Sequence, residues 1–559
     1  MSTINIAALG GLQERGKNLY IIEVDNDLFI LDAGFKYPTS ELYGVDRIVP
    51  DYSYLIENEK RIKAIFLSHG HDTHIGGLIH ILKDINVDIY STKFTNAVLK
   101  DLLLENDIDV KKLKLHIIKP EDVIKFDNGV SVSFFSTTHN VPESVGIVVN
   151  TKDGCIAYTA NYTFDQNAKE YYKTDYEALI NTSKKNVLCL LTESQGSLID
   201  QNRGTILELM HRLNNIFQKA KGRLIFSLFS SDLLRIQQVV DLALTYNKRI
   251  AIIGRKTQRI VNIAINLGYL SIPSDRLVNL RYIDEKNSND DSDLIVLVTG
   301  ERHEPYFMLQ RMSKKIDRLI KIDEKDTVVI MTKPYAGTEK MAAKTLDLLY
   351  RYAGSVSVMG DKLLIASAAT REEIKQMINI LKPQYVVPVI GEFRHLTGVK
   401  TIVECLGLDG ESVIYLDNGE VLQFKDGKKV GIVSEINVGE TLIDGDIIGD
   451  VNDAVLRDRQ LLSEDGVLLI ASNINPKTRK ILSGPEIVTK GFIFTKENEE
   501  LVEKIKEIFY NTSQKHLQGK FINWSDYKND IKNDVNRFLY KTTKRNPVII
   551  PVVISTDKE

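Results

Sequence analysis

Short apolar runs separated by turns fill the first third of the chain, and this pattern restricts the fold most strongly. Runs such as INIAALGG, NLYIIEV and AIFLSH are too short for helices and are bounded by glycine, asparagine and aspartate. Such runs are typical of β-strands joined by turns. Several end directly on a polar residue, as AIFLSH does at His69. Because loops at strand ends commonly carry function, the pattern predicts a sheet scaffold with a site at one edge.

A different pattern runs from about residue 200 to residue 360. Amphipathic runs of helix length, such as ILELMHRLNNIFQKA, alternate there with short apolar runs such as RLIFSLF and RIAIIG. This alternation predicts a parallel sheet covered by helices. Short β-type runs then resume, and after about residue 450 two amphipathic helices and the apolar run VIIPVVIS indicate a small α+β domain.

Length and composition set broader limits. A chain of 559 residues is long enough for three or four domains at roughly 150 residues each. The net charge of −3 gives no overall basic excess, so a nucleic-acid partner would require a local basic groove. The three cysteines are widely separated and form no CxxC motif, and no apolar run approaches the ~18 residues of a membrane helix. We therefore expect a cytoplasmic protein with no membrane association.

The stretch SHGHDTHIGGL places His69, His71 and His74 close together in a chain with only 10 histidines. A single histidine is more often a surface or core residue, but such clustering indicates a metal-binding ancestry. His69 and His71 are two residues apart, so in extended chain their side chains point the same way. His139, in FFSTTHNVPES, follows another β-type run. Imidazole nitrogens bind zinc or manganese. His69, His71 and His139 suffice for a tetrahedral site with one open position.

Long segments of the chain resemble the ribonuclease J family of the metallo-β-lactamase superfamily. The similar segments include GGLQERGKNLYIIEVDNDLFILDAGFKYP, THNVPESVGIVV, LKPQYVVPVIGEFRH, VLRDRQLLSEDG and FLYKTTKRNP. The resemblance implies an α/β fold: a metallo-β-lactamase αββα core interrupted by a β-CASP α/β domain, followed by a small C-terminal α+β domain. The implied boundaries are 1–200 and 361–447 for the lactamase domain, 201–360 for β-CASP, 448–462 for a linker and 463–559 for the C-terminal domain.

The resemblance also implies which site residues are kept and which are lost. The histidines of the first metal site are present as His69, His71 and His139, and His74 of the second site is retained. Four other functional positions are degenerate, so that no catalytic set is intact: Thr73 and Asn161 stand where the family has aspartates, and Ala368 and Ile390 stand where it has histidines.

Three acidic residues complete this comparison with the family. Asp72 lies beside the lost ligand position, but a shift of one residue re-aims its side chain, so whether it substitutes as a ligand stays open. Glu193, in TESQGS, matches the acid of the first β-CASP motif. Asp32, in LDAG, matches a residue that supports the ligands without binding metal.

Two further regions correspond to RNA contacts in the family. Residues Leu364, Ile365, Ala366, Ser367 and Ala368 occupy the place of its 5′-phosphate pocket and lack polar donors. The segments VTGERHEP and TKPYAGTEK align with loops near the RNA path and carry bulkier side chains than usual. Either these side chains narrow the RNA channel, or the two segments are ordinary turns of the β-CASP domain.

The functional expectation follows from these losses. The pattern is similar to that of a weakly active paralogue in the family that assembles with an active one in mRNA decay and rRNA maturation. We expect at most one zinc or manganese ion per chain, with none as the alternative. RNA is the expected ligand, and the active paralogue the expected partner, with a homodimer as the other possibility. The rival hypothesis is an active single-metal 5′-3′ exoribonuclease, and a weaker one is a hydrolase of small esters.

Overall fold

The computed structural model describes residues 2–38, 44–199, 204, 206–280, 292–364, 368–445, 447–448, 453–493, 498–519 and 521–555. Residues 365–367, three of the five positions predicted to contact a 5′-phosphate, lie outside this part of the chain. The chain divides into two compact units, the first formed by residues 1–39 and 47–441 and the second by residues 40–46 and 442–559.

Two sheets form the lactamase core of the first unit. The larger has eight strands, in the order Lys428–Glu435, Glu420–Lys425, Thr3–Gly10, Leu19–Val24, Asp27–Leu31, Ile62–Phe66, Asp88–Thr92 and Lys114–Ile118. The smaller has six, in the order Tyr385–Val389, Val187–Glu193, Gly154–Tyr158, Val145–Thr151, Ser131–Ser136 and Val123–Lys125.

The apolar cores explain why the two sheets stack. Successive residues of a strand point to opposite faces of its sheet. Phe29 and Phe66 accordingly share one core with Ile147 and Leu191 of the smaller sheet. Ile30, the neighbour of Phe29, lies instead in the core under the outer helices. Each sheet is therefore buried on both faces, which is the expected αββα arrangement.

Helices cover the outer faces of both sheets. Those packed against the larger sheet are Ser53–Glu57, Asp72–Ile75, Leu78–Ile81 and Lys93–Glu105. Those packed against the smaller sheet are Tyr176–Ser183, Arg371–Leu381 and Phe393–Cys405.

The β-CASP domain is inserted between two neighbouring strands of the smaller sheet, Val187–Glu193 and Tyr385–Val389, which pair in parallel. Its own five-stranded sheet is parallel throughout, in the order Arg249–Ile253, Leu294–Gly300, Leu224–Phe229, Thr327–Ile330 and Ser355–Val358. The helices of this domain are Ile206–Lys219, Leu233–Thr245, Arg255–Asn266, Glu304–Ser313, Glu339–Tyr352 and Asp361–Leu364. The strand and helix alternation read from the sequence is confirmed.

The second unit contains a three-stranded sheet, in the order Lys480–Lys490, Val467–Asn475 and Val548–Ser555. Its helices are Asp453–Glu464, Glu499–Leu517 and Trp524–Thr543. On the last helix Ile531, Val535 and Leu539 form an apolar stripe that is buried in one core with residues of the sheet. The predicted fold class is thus confirmed, whereas the exact domain boundaries stay predictions.

The remaining strands of the described chain are Arg47–Pro50, Glu440–Asp444 and Ile447–Ile448, and short 3-10 helices lie at Glu59–Arg61, Val110–Lys112, Glu170–Tyr172 and Gly410–Ser412. No helix in the described part of the chain has the length and apolarity needed to cross a membrane.

One local feature concerns the histidine loop. Apolar residues after His74 (Ile75, Leu78, Ile79 and Leu82) have helical spacing, and the structure forms two four-residue helices there, Asp72–Ile75 and Leu78–Ile81. Gly76 and Gly77 separate the two helices and lie against the segment that follows the strand Asp27–Leu31. The Gly77 amide donates to the Ala33 carbonyl at 2.8 Å. A Cβ on Gly76 would lie 2.2 Å from Phe35, so only glycine fits there.

Candidate metal centre

Each sheet of the core contributes histidines to one buried pocket. The strand Ile62–Phe66 of the larger sheet leads into the loop that carries His69 and His71. The strand Ser131–Ser136 of the smaller sheet leads to His139. His69 and His139 are almost completely buried. The pocket therefore lies where the ends of these two strands meet.

The nitrogen atoms of these three histidines have the spacing of metal ligands. Nε2 of His69 lies 3.2 Å from Nδ1 of His71, and Nε2 of His139 lies 3.4 Å from the same atom. Tetrahedral zinc with Zn–N bonds of 2.0–2.1 Å would place its ligand nitrogens about 3.3 Å apart. Among the described residues, only His69, His71 and His139 form a group of potential ligands with atoms within 4.8 Å of one another.

The pocket keeps His69 and His71 in the neutral form that binds metal. Burial lowers the pKa of His71 to about 4. Burial, and then the neighbouring imidazoles, also hold the pKa of His69 well below its ordinary value. A neutral imidazole has a lone pair for a cation. The donor set fits one zinc ion, and manganese accepts the same ligand types.

Asp32 and Ser68 fix the orientation of His69. The Ser68 hydroxyl lies 3.0 Å from Nδ1 of His69 and donates to the Asp32 carboxylate at 2.7 Å. The Ser68 amide and the Tyr158 hydroxyl also donate to Asp32, each at 2.8 Å. Since Nδ1 is engaged in this way, Nε2 of His69 faces the pocket. Contacts of this kind orient metal ligands and are important for affinity.

His74 stands beside this group, but both of its ring nitrogens are engaged elsewhere. Its ring centroid lies 4.0 Å from that of His69. Nε2 of His74 is 3.3 Å from the amide nitrogen of Asn18, and Nδ1 is 2.9 Å from the Thr73 hydroxyl. Asn18 also donates to the Thr73 carbonyl at 2.9 Å. Nothing in the sequence around Asn18, at the start of an ordinary β-type run, had indicated this contact.

Asn161 is also engaged by another side chain. Its amide nitrogen donates to Oε2 of Glu193 at 2.7 Å. Oε1 of Glu193 accepts from the backbone amides of Tyr162 at 2.9 Å and Ala369 at 2.8 Å. Burial raises the pKa of Glu193 to about 8. At a position where the resemblance implies an aspartate, the chain thus has the neutral amide of Asn161, bound to the buried acid Glu193.

The other two degenerate positions are apolar and buried. Ile390 belongs to the core between the sheets, and its backbone has a φ of 52°. That left-handed conformation is costly for a β-branched residue, and the Ile390 amide bonds the Gly11 carbonyl at 3.0 Å. Ala368 is buried, and Leu364 is half-buried at the end of a short helix. Neither Ile390 nor Ala368 has a side chain able to bind metal or transfer a proton.

Asp72 points toward the β-CASP domain. Its Oδ2 accepts from the Lys256 ammonium at 2.7 Å and lies 3.2 Å from the Tyr37 hydroxyl oxygen. Burial by itself would raise the pKa of Asp72, but the charge and hydrogen bond of Lys256 lower it below the ordinary value. The residues present therefore fit one metal ion. They do not fit a second, because the oxygen ligands it needs are missing or otherwise engaged.

Two facing sheets with a histidine site at their edge, interrupted by a parallel α/β domain, define a metallo-β-lactamase fold with a β-CASP insertion. Family models agree along the chain: "Beta-lactamase superfamily domain" matches residues 29–182, "Ribonuclease J, beta-CASP domain" residues 221–349 and "Ribonuclease J C-terminal domain" residues 454–556.

Comparison with individual proteins gives the family. The chain is 35% identical over 98% of its length, and 98% of theirs, to proteins named "Ribonuclease J 2" from Staphylococcus aureus (strain MRSA252) and Staphylococcus epidermidis (strain ATCC 35984). The chain belongs to the ribonuclease J family. A crystal structure of a protein of unknown function from Enterococcus faecalis V583 superposes on 76% of this chain and all of that one. Its TM-score is 0.52 at 15% identity, which is similarity of fold alone.

Proposed function

We propose that this chain is a ribonuclease J-type subunit with weak or absent nuclease activity of its own. It would bind RNA in the cytoplasm and act with an active paralogue in mRNA decay and rRNA maturation. The observation that carries the proposal is the engagement of Asn161 and His74 by Glu193 and Asn18. This arrangement leaves one three-histidine site where the family resemblance implies a pair of metals.

The expected loss of rate is large. In two-metal hydrolysis one ion activates the attacking water, and the pair together stabilises the attacking and leaving oxygens. A general acid contributes a further ~10²–10⁴ in rate. The side chains of Ala368 and Ile390 offer no replacement for such an acid. We therefore expect turnover several decades below that of an intact family member.

The C-terminal sheet supports the proposed assembly. Its inner face packs on the helices through Leu468 and Ile470. On its outer face Leu469 lies between Val488 and Ile550 of the flanking strands. Val488 and Ile550 are each 43% exposed and Ile554 is 57% exposed. Contiguous exposed apolar surface of this kind marks protein interfaces.

The rival proposal is an active single-metal 5′-3′ exoribonuclease, and the intact spacing of His69, His71 and His139 favours it. Steady-state turnover of a 5′-monophosphorylated RNA by the purified chain, with zinc and separately with manganese, discriminates the two. We expect only trace turnover that His71→Ala abolishes. Turnover comparable to that of the active paralogue, and lost in His71→Ala, would establish the rival.

The assembly is tested by mixing the chain with the active paralogue of the same organism and measuring masses by native mass spectrometry. We expect a mixed complex whose nuclease activity is unchanged by His71→Ala in this chain. Masses that correspond only to copies of this chain would show a homo-oligomer and contradict the proposed partner.

A further inference from the structure

A lysine of the β-CASP domain lies between two carboxylates at the boundary with the lactamase domain. Lys256 is near the start of the helix Arg255–Asn266, and its ammonium is 2.7 Å from Asp72. It also pairs with Glu301, which directly follows the strand Leu294–Gly300. The Tyr37 hydroxyl, from the lactamase domain, donates to Glu301 at 2.8 Å. Four side chains from two domains thus form one polar cluster.

The cluster is partly shielded from water. The side chain of Asp72 is 16% exposed, that of Lys256 32% and that of Glu301 30%. Charge pairs interact more strongly away from bulk solvent, and removing one partner leaves the other charge poorly solvated. The Lys256 contacts are therefore expected to be stronger than those of an ordinary surface ion pair.

A second ion pair on the same helix reinforces these contacts. Arg259, three residues after Lys256, is 3.0 Å from Asp101 and also pairs with Glu105. Both acids belong to the lactamase helix Lys93–Glu105. One β-CASP helix is therefore joined by charge to the lactamase domain at two successive turns.

The same boundary lies directly beside the histidine pocket. The Ser231 carbonyl, in the turn after the β-CASP strand Leu224–Phe229, is 3.4 Å from Nε2 of His71. Next to Glu301, the Arg302 guanidinium stacks on Tyr37 at 5.0 Å from the ring centroid. It also donates to the Pro38 carbonyl at 3.1 Å. The bulky side chains of the segment VTGERHEP thus contact the lactamase domain.

We infer that Asp72 is an interdomain latch residue and not a substitute metal ligand. Lys256, held between Asp72 and Glu301, fastens the β-CASP domain against the lactamase domain beside the histidine pocket. The ammonium supplies the positive charge that the Asp72 carboxylate requires, so this acid needs no metal ion. Separation of the two domains at this edge requires these pairs to break. This inference does not depend on the proposed function.

Hydrogen exchange on the full chain, followed by mass spectrometry, tests the latch. In Asp72→Asn we expect amides of the helices Arg255–Asn266 and Lys93–Glu105 to exchange about tenfold faster than in the parent, because exchange reports local opening. The matched control is Asp241→Asn, which breaks the cross-domain pair with Lys169. That pair has a similar length of 2.7 Å, but its side chains are 59% and 39% exposed. We expect this control to change exchange by less than about twofold.

A charge swap makes the test specific. Lys256→Asp alone places three acids together and should open the boundary, whereas Lys256→Asp combined with Asp72→Lys restores a cation between two carboxylates. We expect exchange in the double variant to return to within about threefold of the parent. Should Asp72→Asn fail to fold, as judged by circular dichroism, Lys256→Met provides the same measurement from the β-CASP side. Parental exchange rates in the soluble single variants would overturn the latch.

Metal analysis separates the latch from a ligand role. We expect the parent and Asp72→Asn to bind the same number of zinc ions per chain with affinities within about threefold of each other. Loss of bound zinc in Asp72→Asn, with exchange unchanged, would assign Asp72 to the metal site and overturn the inference.

Discussion

Nε2 of His139 lies 3.4 Å from Nδ1 of His71, although the two residues follow strands of different sheets. The stacking of the two sheets thus sets the distance between these ligand atoms. A metal ion bound there would link the sheets at their edge, and its binding energy would add to the stability of the fold.

The first prediction concerns metal binding. Native mass spectrometry and isothermal titration should give at most one zinc or manganese ion per parent chain. His139→Ala removes one of three ligands and should weaken binding by at least about 100-fold. His116→Ala is the matched control, because His116 is half-exposed and paired with Asp88 at 2.6 Å. Two ions per parent chain would contradict the one-metal site.

The second prediction concerns the pH dependence of stability. Burial raises the pKa of Glu193 from 4.5 to about 8, so the folded chain retains a proton that the unfolded chain releases between these values. The resulting contribution to stability is complete below pH 4.5 and is lost as the pH rises through 8, at about 1.4 kcal/mol per pH unit in between. Glu193→Gln should remove this slope.

The measurement is the free energy of urea unfolding of the parent and of Glu193→Gln between pH 5 and pH 9. As the pH rises, we expect the free energy of unfolding of the parent to fall relative to that of Glu193→Gln. A difference that is independent of pH would show that Glu193 is already ionised in the folded chain.

The third prediction concerns Asn161. Asn161→Asp would place a carboxylate about where the amide nitrogen lies, 2.7 Å from Oε2 of Glu193. At pH 9, where Glu193 is ionised, we expect it to lower the free energy of unfolding by roughly 1–3 kcal/mol, because a buried donor is lost and two negative charges then face each other. Adding Glu193→Gln restores a donor opposite the acid and should recover most of the loss. Equal instability of the single and double variants would contradict the proposed pairing.

The fourth prediction concerns the outer face of the C-terminal sheet. Ile550→Glu puts a charge beside Leu469 on a surface that is already partly exposed, so folding should be unaffected. Association of this chain with the active paralogue, measured by analytical ultracentrifugation, should weaken by at least about tenfold. Leu207→Glu, on an exposed apolar residue of the β-CASP domain, is the control. Unchanged association in Ile550→Glu would place the interface on another surface.

Local patterns in the sequence determined the strands, the parallel insertion and the loop that carries His69 and His71, because periodicity and turn residues act over a few positions. The loss of the family's aspartates and histidines at Thr73, Asn161, Ala368 and Ile390 could likewise be recognised from the sequence alone.

Tertiary structure alone decided which partners these residues have. Asp72 meets Lys256, Asn161 meets Glu193 and His74 meets Asn18, and all of these partners are distant in sequence. The direction of a side chain at a strand end depends on the packing of whole domains. No local pattern encodes that packing, so the sequence left the role of Asp72 open.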